Sequence, residues 1–211
     1  MPLASCLLPA PCSLKKSTSP NSKPLYMTTA TPPLTLEEFL KLPETKPRSE
    51  FINGEIVIKP MPQGQHSLLQ IELCQAINRV ANPNKIAKAF PELRCTFGGQ
   101  SIIPDITVFR WENIPIEPTG KIANRFEISP DWAIEILSPD QRQTKVLSNL
   151  IHCLRHGTEL GWLIDPEEES IIVIDQTQRL EILSATSTLP ILNGVELELT
   201  VEEVFGWLTL G

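Results

Sequence analysis

The sequence predicts an α/β domain, and three observations carry that prediction. Short apolar runs bounded by Pro, Gly and Asn recur along the chain, and two stretches with apolar residues at helical spacing lie between them. A strand-turn-strand pattern stands near the start of the ordered part, and two closely spaced strands stand near its end. Of the 211 residues, 41% are hydrophobic and 20% charged, enough for one domain with its own core. A net charge of −7 excludes a protein that grips nucleic acid by broad neutralisation of phosphates, so any such contact is local.

Residues 1–33 are rich in Pro, Ser and Thr without periodicity and read as a disordered extension. An over-extended gene start before Met27 is the simplest account of them, with a transit-like segment around Lys15 and Lys16 as the rival. Residues 34–211 read as a single domain. It opens at Thr35-Leu36-Glu37-Glu38, a capping box in which the Thr hydroxyl and the Glu38 carboxylate each satisfy an orphan helix N–H. Arg48–Ile52 and Glu55–Lys59 flank Asn53-Gly54, the pair that a tight type I′ hairpin turn requires. Residues 64–81 carry an apolar stripe at 69, 73, 76, 77 and 80, and His66 projects onto that same inward face.

Between Lys85 and Phe109 two strands are expected around the Gly98-Gly99 turn, and residues 110–130 read as a loop. The stripe Val146, Leu147, Leu150, Ile151 and Leu154 marks a second amphipathic helix over 141–156, ending at Gly157. A buried strand at Leu160–Asp165, a meander through Ser170–Asp175 and Arg179–Leu183, a strand at Glu196–Leu199 and a second capping box at Thr200–Glu203 complete the chain. The five cysteines lack metal-like spacing and read as reduced thiols, Cys74 and Cys153 in helix cores. No stretch approaches the roughly 20 apolar residues of a membrane span, so a soluble cytoplasmic protein without membrane contact is expected.

Two carboxylates interrupt apolar strand-like runs: Asp105 within Ile102–Phe109, and Glu135 within Asp131–Pro139. An unpaired charge buried in a strand costs several kcal/mol, so each needs a partner. By alternation Asp105 shares a face with Ile103 and Thr107, and Glu135 with Ala133 and Leu137. If the strands are neighbours the carboxylates meet, and two converging carboxylates point to a divalent cation. The bland account is a pair of structural carboxylates bonded to backbone or arginine. For Glu50 a metal or water-orienting role competes with a surface ion pair, and for His66 a phosphate or metal contact competes with a satisfied core histidine.

These residues resemble the PD-(D/E)XK, or restriction-endonuclease-like, superfamily, and within it a bacterial restriction-endonuclease domain family of small, often multicopy proteins. The resemblance spans about residues 35–208. It rests on Glu50 with Ile52-Asn53-Gly54-Glu55, His66, Pro104-Asp105, Glu135-Ile136-Leu137-Ser138-Pro139, and the block from Gly157 to Trp162-Leu163-Ile164-Asp165-Pro166. It implies a mixed central sheet flanked by helices around an α-β-β-β-α-β core, here with an N-terminal hairpin and a C-terminal β-meander. It also implies an endonuclease that hydrolyses phosphodiester bonds in DNA with Mg²⁺ or Mn²⁺ held by Asp105 and Glu135, and by analogy a homodimer. The superfamily lysine falls two residues after the glutamate, but that position is Leu137. The helix position that supplies a lysine in relatives aligns with Asn149. Lys145 is the nearest substitute, joining Asp105, Glu135 and Glu50 as candidate catalytic residues, with His66, Arg142 and Asn149 as phosphate or support contacts. The alternative is a nuclease-fold protein that has lost turnover and binds nucleic acid or another protein.

Overall fold

A computed structural model describes residues 34–139 and 141–210; the expectations for residues 1–33, including the start at Met27, lie outside them. The elements run α1 (Leu36–Phe39), β1 (Ser49–Ile52), β2 (Glu55–Ile58), α2 (Gly64–Ala81), β3 (Ala87–Pro91), β4 (Cys95–Phe97), β5 (Gln100–Ile102), β6 (Ile106–Arg110), β7 (Trp132–Ile136), α3 (Gln143–Arg155), β8 (Leu160–Asp165), β9 (Ser170–Asp175), β10 (Leu180–Ser184) and α4 (Val201–Gly206). A short 3-10 turn at Trp111–Asn113 is the only helical piece of the expected loop among the described residues.

The strands form a six-stranded sheet ordered β10-β9-β8-β7-β6-β3 and a four-stranded sheet ordered β2-β1-β5-β4. In the larger sheet only β7 and β8 run parallel, because α3 carries the chain back over the sheet between them, and this makes the sheet mixed. The succession α2-β3-β6-β7-α3-β8 is the expected α-β-β-β-α-β core, with β4 and β5 inserted as a hairpin and β8-β9-β10 forming the meander.

Side-chain alternation divides the core of the large sheet. Trp132, Ile134 and Ile136 of β7 face Leu69, Leu73 and Ile77 of α2 and Val201, Val204 and Phe205 of α4. Ala133 and Leu137 face Val146, Leu150 and Cys153 of α3, where Ile102 of β5 joins them. Cys74 and Cys153 are both buried, as their helical positions imply. Both capping boxes are closed: Thr35 and Thr200 accept from the N–H groups of Glu38 and Glu203, whose side chains accept in return. Asn53 and Gly54 take φ of 51° and 85°, the two left-handed positions of the predicted hairpin turn.

Three expectations are corrected. The expected strand ending near Phe97 is two, β3 in the large sheet and β4 in the small one. Residues 102–109 are not one strand: Ile102 ends β5 in the small sheet and Ile106 begins β6 in the large one. Pro104 has no N–H for a ladder, and the chain uses Ile103–Asp105 to cross between sheets. Alternation therefore does not assign Asp105 a face. Residues 196–199 form no strand either; an isolated bridge between Thr188 and Thr200 and the Leu189 N–H to Leu199 carbonyl bond hold that segment instead.

The turn between β4 and β5 is tied to the end of α3. The Phe97 ring stacks on His152 with centroids 5.0 Å apart, and a Cβ at Gly98, whose φ is +56°, would come within 2.2 Å of His156 Nε2. Gly98→Ala therefore has to displace the His156 ring, whose Nδ1 lies 2.8 Å from the His152 carbonyl oxygen, and also strains a left-handed backbone. A loss of about 1–2 kcal/mol in urea unfolding is expected.

Candidate active site

The sequence folds five ionisable side chains into one buried cluster where the two sheets adjoin. Strands β6 and β7 pair antiparallel with Ile106 opposite Ile134, so one step further Asp105 lies opposite Glu135. They are 1% and 4% exposed. Asp105 Oδ2 accepts from the Ile136 N–H at 2.7 Å, and the Asp105 carbonyl accepts from Gln70 Nε2 at 2.7 Å and the Glu92 N–H at 3.0 Å. Both ends of the residue are thereby fixed. Glu50 enters from β1, 5% exposed, and its Oε1 accepts from the Ile103 N–H at 2.6 Å, the residue after β5.

The cation in this cluster is Lys59, at the end of β2. Its Nζ lies 2.8 Å from Asp105 Oδ1 and 3.5 Å from Glu135 Oε2 and donates to the Ile103 carbonyl. The Lys59 N–H to Arg48 carbonyl bond, at 2.8 Å, extends the hairpin to this residue and anchors its backbone. From the other side His66, in the first turn of α2, places Nε2 3.1 Å from Asp105 Oδ1 and Nδ1 3.3 Å from Ser138 Oγ. Asp105 Oδ1 thus has two nitrogen neighbours, yet no donor is aligned on it as a directed hydrogen bond.

The charges do not balance locally. Glu50, Asp105 and Glu135 face a single ammonium. Burial alone would raise the Asp105 carboxyl, but Lys59 and His66 overcome it and hold the group below the usual carboxylate range. Burial lifts Glu135 well above that range, with Asp105 and Glu50 adding to the rise against the pull of Lys59. Glu50 is also raised, mainly by burial. For Lys59 burial acts to lower the pKa, and the Asp105, Glu135 and Glu50 charges reverse it, so the amine stays an ammonium throughout the physiological range.

Two clefts reach the cluster. One of about 440 Å³ is lined by Glu50, Lys59 and Glu135 and by Arg142, Lys145 and Asn149 of α3. The other, about 800 Å³, is lined by His66, Leu137 and Ser138, with Asp165, Glu167 and Glu168 at its edge. Of the residues singled out in the sequence, Glu50, His66, Asp105 and Glu135 converge. Arg142, Lys145 and Asn149 line the first cleft without joining the cluster, and Lys145 is exposed. Leu137 is buried against α3.

Lys59 is the residue that sequence reading passes over, as the last position of a strand. The signal was present: in Glu55–Lys59, alternation puts Lys59 on the face of Val57, and Val57 pairs with Glu50. A lysine on the strand partnering a buried glutamate is a candidate counter-charge.

The chemistry of the donor set fits a hard divalent cation. Among the described residues no group of three or more His, Cys, Asp or Glu side chains is spaced to hold a metal by itself. Mg²⁺, by contrast, is commonly held by one or two carboxylates, with water and substrate phosphate completing its shell. Asp105 and Glu135 would be that pair; Asp105 Oδ1, without an aligned hydrogen bond, stands 2.8 Å from Lys59 Nζ and 3.1 Å from His66 Nε2.

Comparison with known proteins places this geometry in a family. The chain is similar to a crystallised protein from Anabaena variabilis ATCC 29413 described as a putative nuclease. The identity is 54%, the match covers 84% of this chain and all of that one, and the TM-score is 0.82. No curated protein matches. The model of the Uma2 family, described as a putative restriction endonuclease, matches residues 36–202, and the chain belongs to that nuclease-like family.

Proposed function

We propose that this protein is a Mg²⁺- or Mn²⁺-dependent endonuclease that hydrolyses phosphodiester bonds in DNA. The observation that carries the reading is the buried cluster of Asp105 and Glu135 against Lys59. Asp105 and Glu135 would hold the cation, which when bound supplies Lewis-acid polarisation of a phosphoryl oxygen and an acidified water. Lys59 stays protonated, so its part is to donate to the negative charge that builds on the phosphate; it is not a base. Glu50, fixed through the Ile103 N–H, closes the cluster on the cleft side. Arg142, Lys145 and Asn149 form the cleft wall toward which a phosphodiester backbone would lie, Arg142 and Lys145 bringing positive charge that the acidic edge of the second cleft lacks.

The defining test is cleavage of plasmid and linear duplex DNA, and of single strands, by purified protein. Cleavage is expected with Mg²⁺ or Mn²⁺, ceasing on addition of EDTA and returning when the metal is replenished. Protein that leaves every DNA substrate intact with either metal contradicts the proposal, and equal cleavage in EDTA contradicts its metal dependence.

A further inference from the structure

Depth and charge placement limit which nucleic acid reaches the cluster. Asp105 and Glu135 are 1% and 4% exposed, and the Lys59 side chain is 12% exposed. The cleft that Lys59 and Glu135 line holds about 440 Å³, the scale of a small-molecule pocket rather than of a groove in which a double helix lies. Its cations other than Lys59 are Arg142 and Lys145, both on the α3 side. The hairpin side brings Asn53, the exposed Glu55 and Val57, a carboxylate without a cation. Gln141 lines both clefts, and beyond it the second carries Asp165, Glu167 and Glu168 and no Lys or Arg. Among the described residues neither cleft is lined by Phe, Tyr or Trp, so bases find no ring to stack on and contact falls to the phosphates.

We propose that the site selects an unpaired strand, so that its substrate is single-stranded DNA or the unpaired tail of a duplex. A phosphate that accepts from Lys59 has to descend to the buried cluster. In a duplex the complementary strand runs alongside, across a minor groove of about 6 Å. Its phosphates would then come against the hairpin or the acidic edge, where Glu55 or Asp165, Glu167 and Glu168 repel them. An unpaired strand brings one row of phosphates, matched by the one row of cations along α3, and it bends toward the cluster where a stiff duplex resists. Selection thus comes from rejecting the second strand as much as from holding the first. The cleavage it predicts rests on the proposed nuclease function, whereas the strand preference is measurable by binding alone.

The test uses full-length protein and a fluorescein-labelled DNA oligonucleotide, alone, annealed to its full complement, and annealed to a shorter complement that leaves a tail. Affinity is read by fluorescence anisotropy in EDTA, and cleavage in Mn²⁺ by the position and initial rate of the cuts. The single strand and the tailed duplex are expected to bind at least about tenfold tighter than the blunt duplex. For the single strand, log K should fall against log salt with a slope no steeper than about −2, that of Lys59, Arg142 and Lys145 together. Cuts are expected in the single strand and in the tail. Glu55→Lys, shown to be folded by near-UV circular dichroism, should shrink the preference several-fold by strengthening duplex binding. A blunt duplex bound as tightly as the single strand, or a preference unchanged in Glu55→Lys, overturns the proposal. Strand preference in EDTA without cleavage in Mn²⁺ counts against the nuclease reading and leaves the selection standing, and equal binding and cutting of all three DNA forms does the reverse.

Discussion

Replacing Lys59 by methionine is expected to slow DNA cleavage by at least about 10²-fold and to destabilise the fold by about 3–5 kcal/mol at neutral pH, the usual range when one partner of a buried ionic group is removed. Methionine keeps the length and most of the volume of the lysine stem, so the loss is electrostatic rather than a cavity effect. Without the ammonium, Glu50, Asp105 and Glu135 are left buried with no cation among them. The pH dependence follows from the direction of the shifts. Lys59 has its pKa raised in the folded state, so its contribution is fully present below the unfolded value of roughly 10.4 and is lost only as pH rises beyond that value toward the folded one. Wild-type and variant therefore differ across the neutral range. The difference should shrink on acidification, as the carboxylates take up protons and no longer need the counter-charge. Urea midpoints of the two proteins between about pH 5 and pH 8 check this.

Glu135→Gln should do the opposite to stability and the same to activity. Burial drives the Glu135 carboxyl well above the usual range, so the folded state holds its proton more tightly than the unfolded chain does. Below the ordinary carboxyl pKa of roughly 4.3 both states are protonated and the group is neutral to stability. As pH rises past that value the unfolded chain ionises freely while the folded one resists, so stability falls through the window up to the folded pKa and the penalty persists above it. A glutamine keeps the shape and removes the charge. In metal-free protein at pH 7–8 a gain of about 1–3 kcal/mol is expected, near 3–8 °C in Tm, with little difference at pH 4. Cleavage should be lost, since the amide is a poor substitute for a carboxylate that binds a cation. A variant that is more stable and inactive would mark Glu135 as a site where stability is given up for function.

Much of the fold was legible because its signals are local. Asn53-Gly54, the two Thr-x-x-Glu capping boxes and the stripe of 64–81 each encode their element within a few residues. What failed was where tertiary pairing decides. The apolar run 102–109 looks like one strand, yet Pro104 breaks it and the halves join different sheets. Residues 196–199 have strand composition but only an isolated bridge nearby, between Thr188 and Thr200, and a backbone bond from Leu189 for partners.

The site shows the same division. Asp105 and Glu135 announced themselves as lone charges in apolar runs, and the strand register does bring them opposite each other. Lys59 did not, because a lysine at a strand end is ordinary until the hairpin is folded over the cluster. The absence of a lysine at positions 137 and 149 is what gave weight to an inactive nuclease fold. In the reading proposed above, the ammonium that reaches the carboxylates from β2 answers that argument, since the chemistry would need a cation at a place in space and not at a place in the chain.

The central claim is that Lys59, and not Lys145, completes the site. It is tested most directly by initial rates of DNA cleavage in Mn²⁺ for the wild type, Lys59→Met and Lys145→Met, each first shown to be folded by near-UV circular dichroism at the assay temperature. The account predicts that Lys59→Met loses at least about 10²-fold, the usual range for removing a donor to developing negative charge, while Lys145→Met stays within a few-fold of the wild type. Cleavage retained by folded Lys59→Met and abolished in Lys145→Met would contradict it.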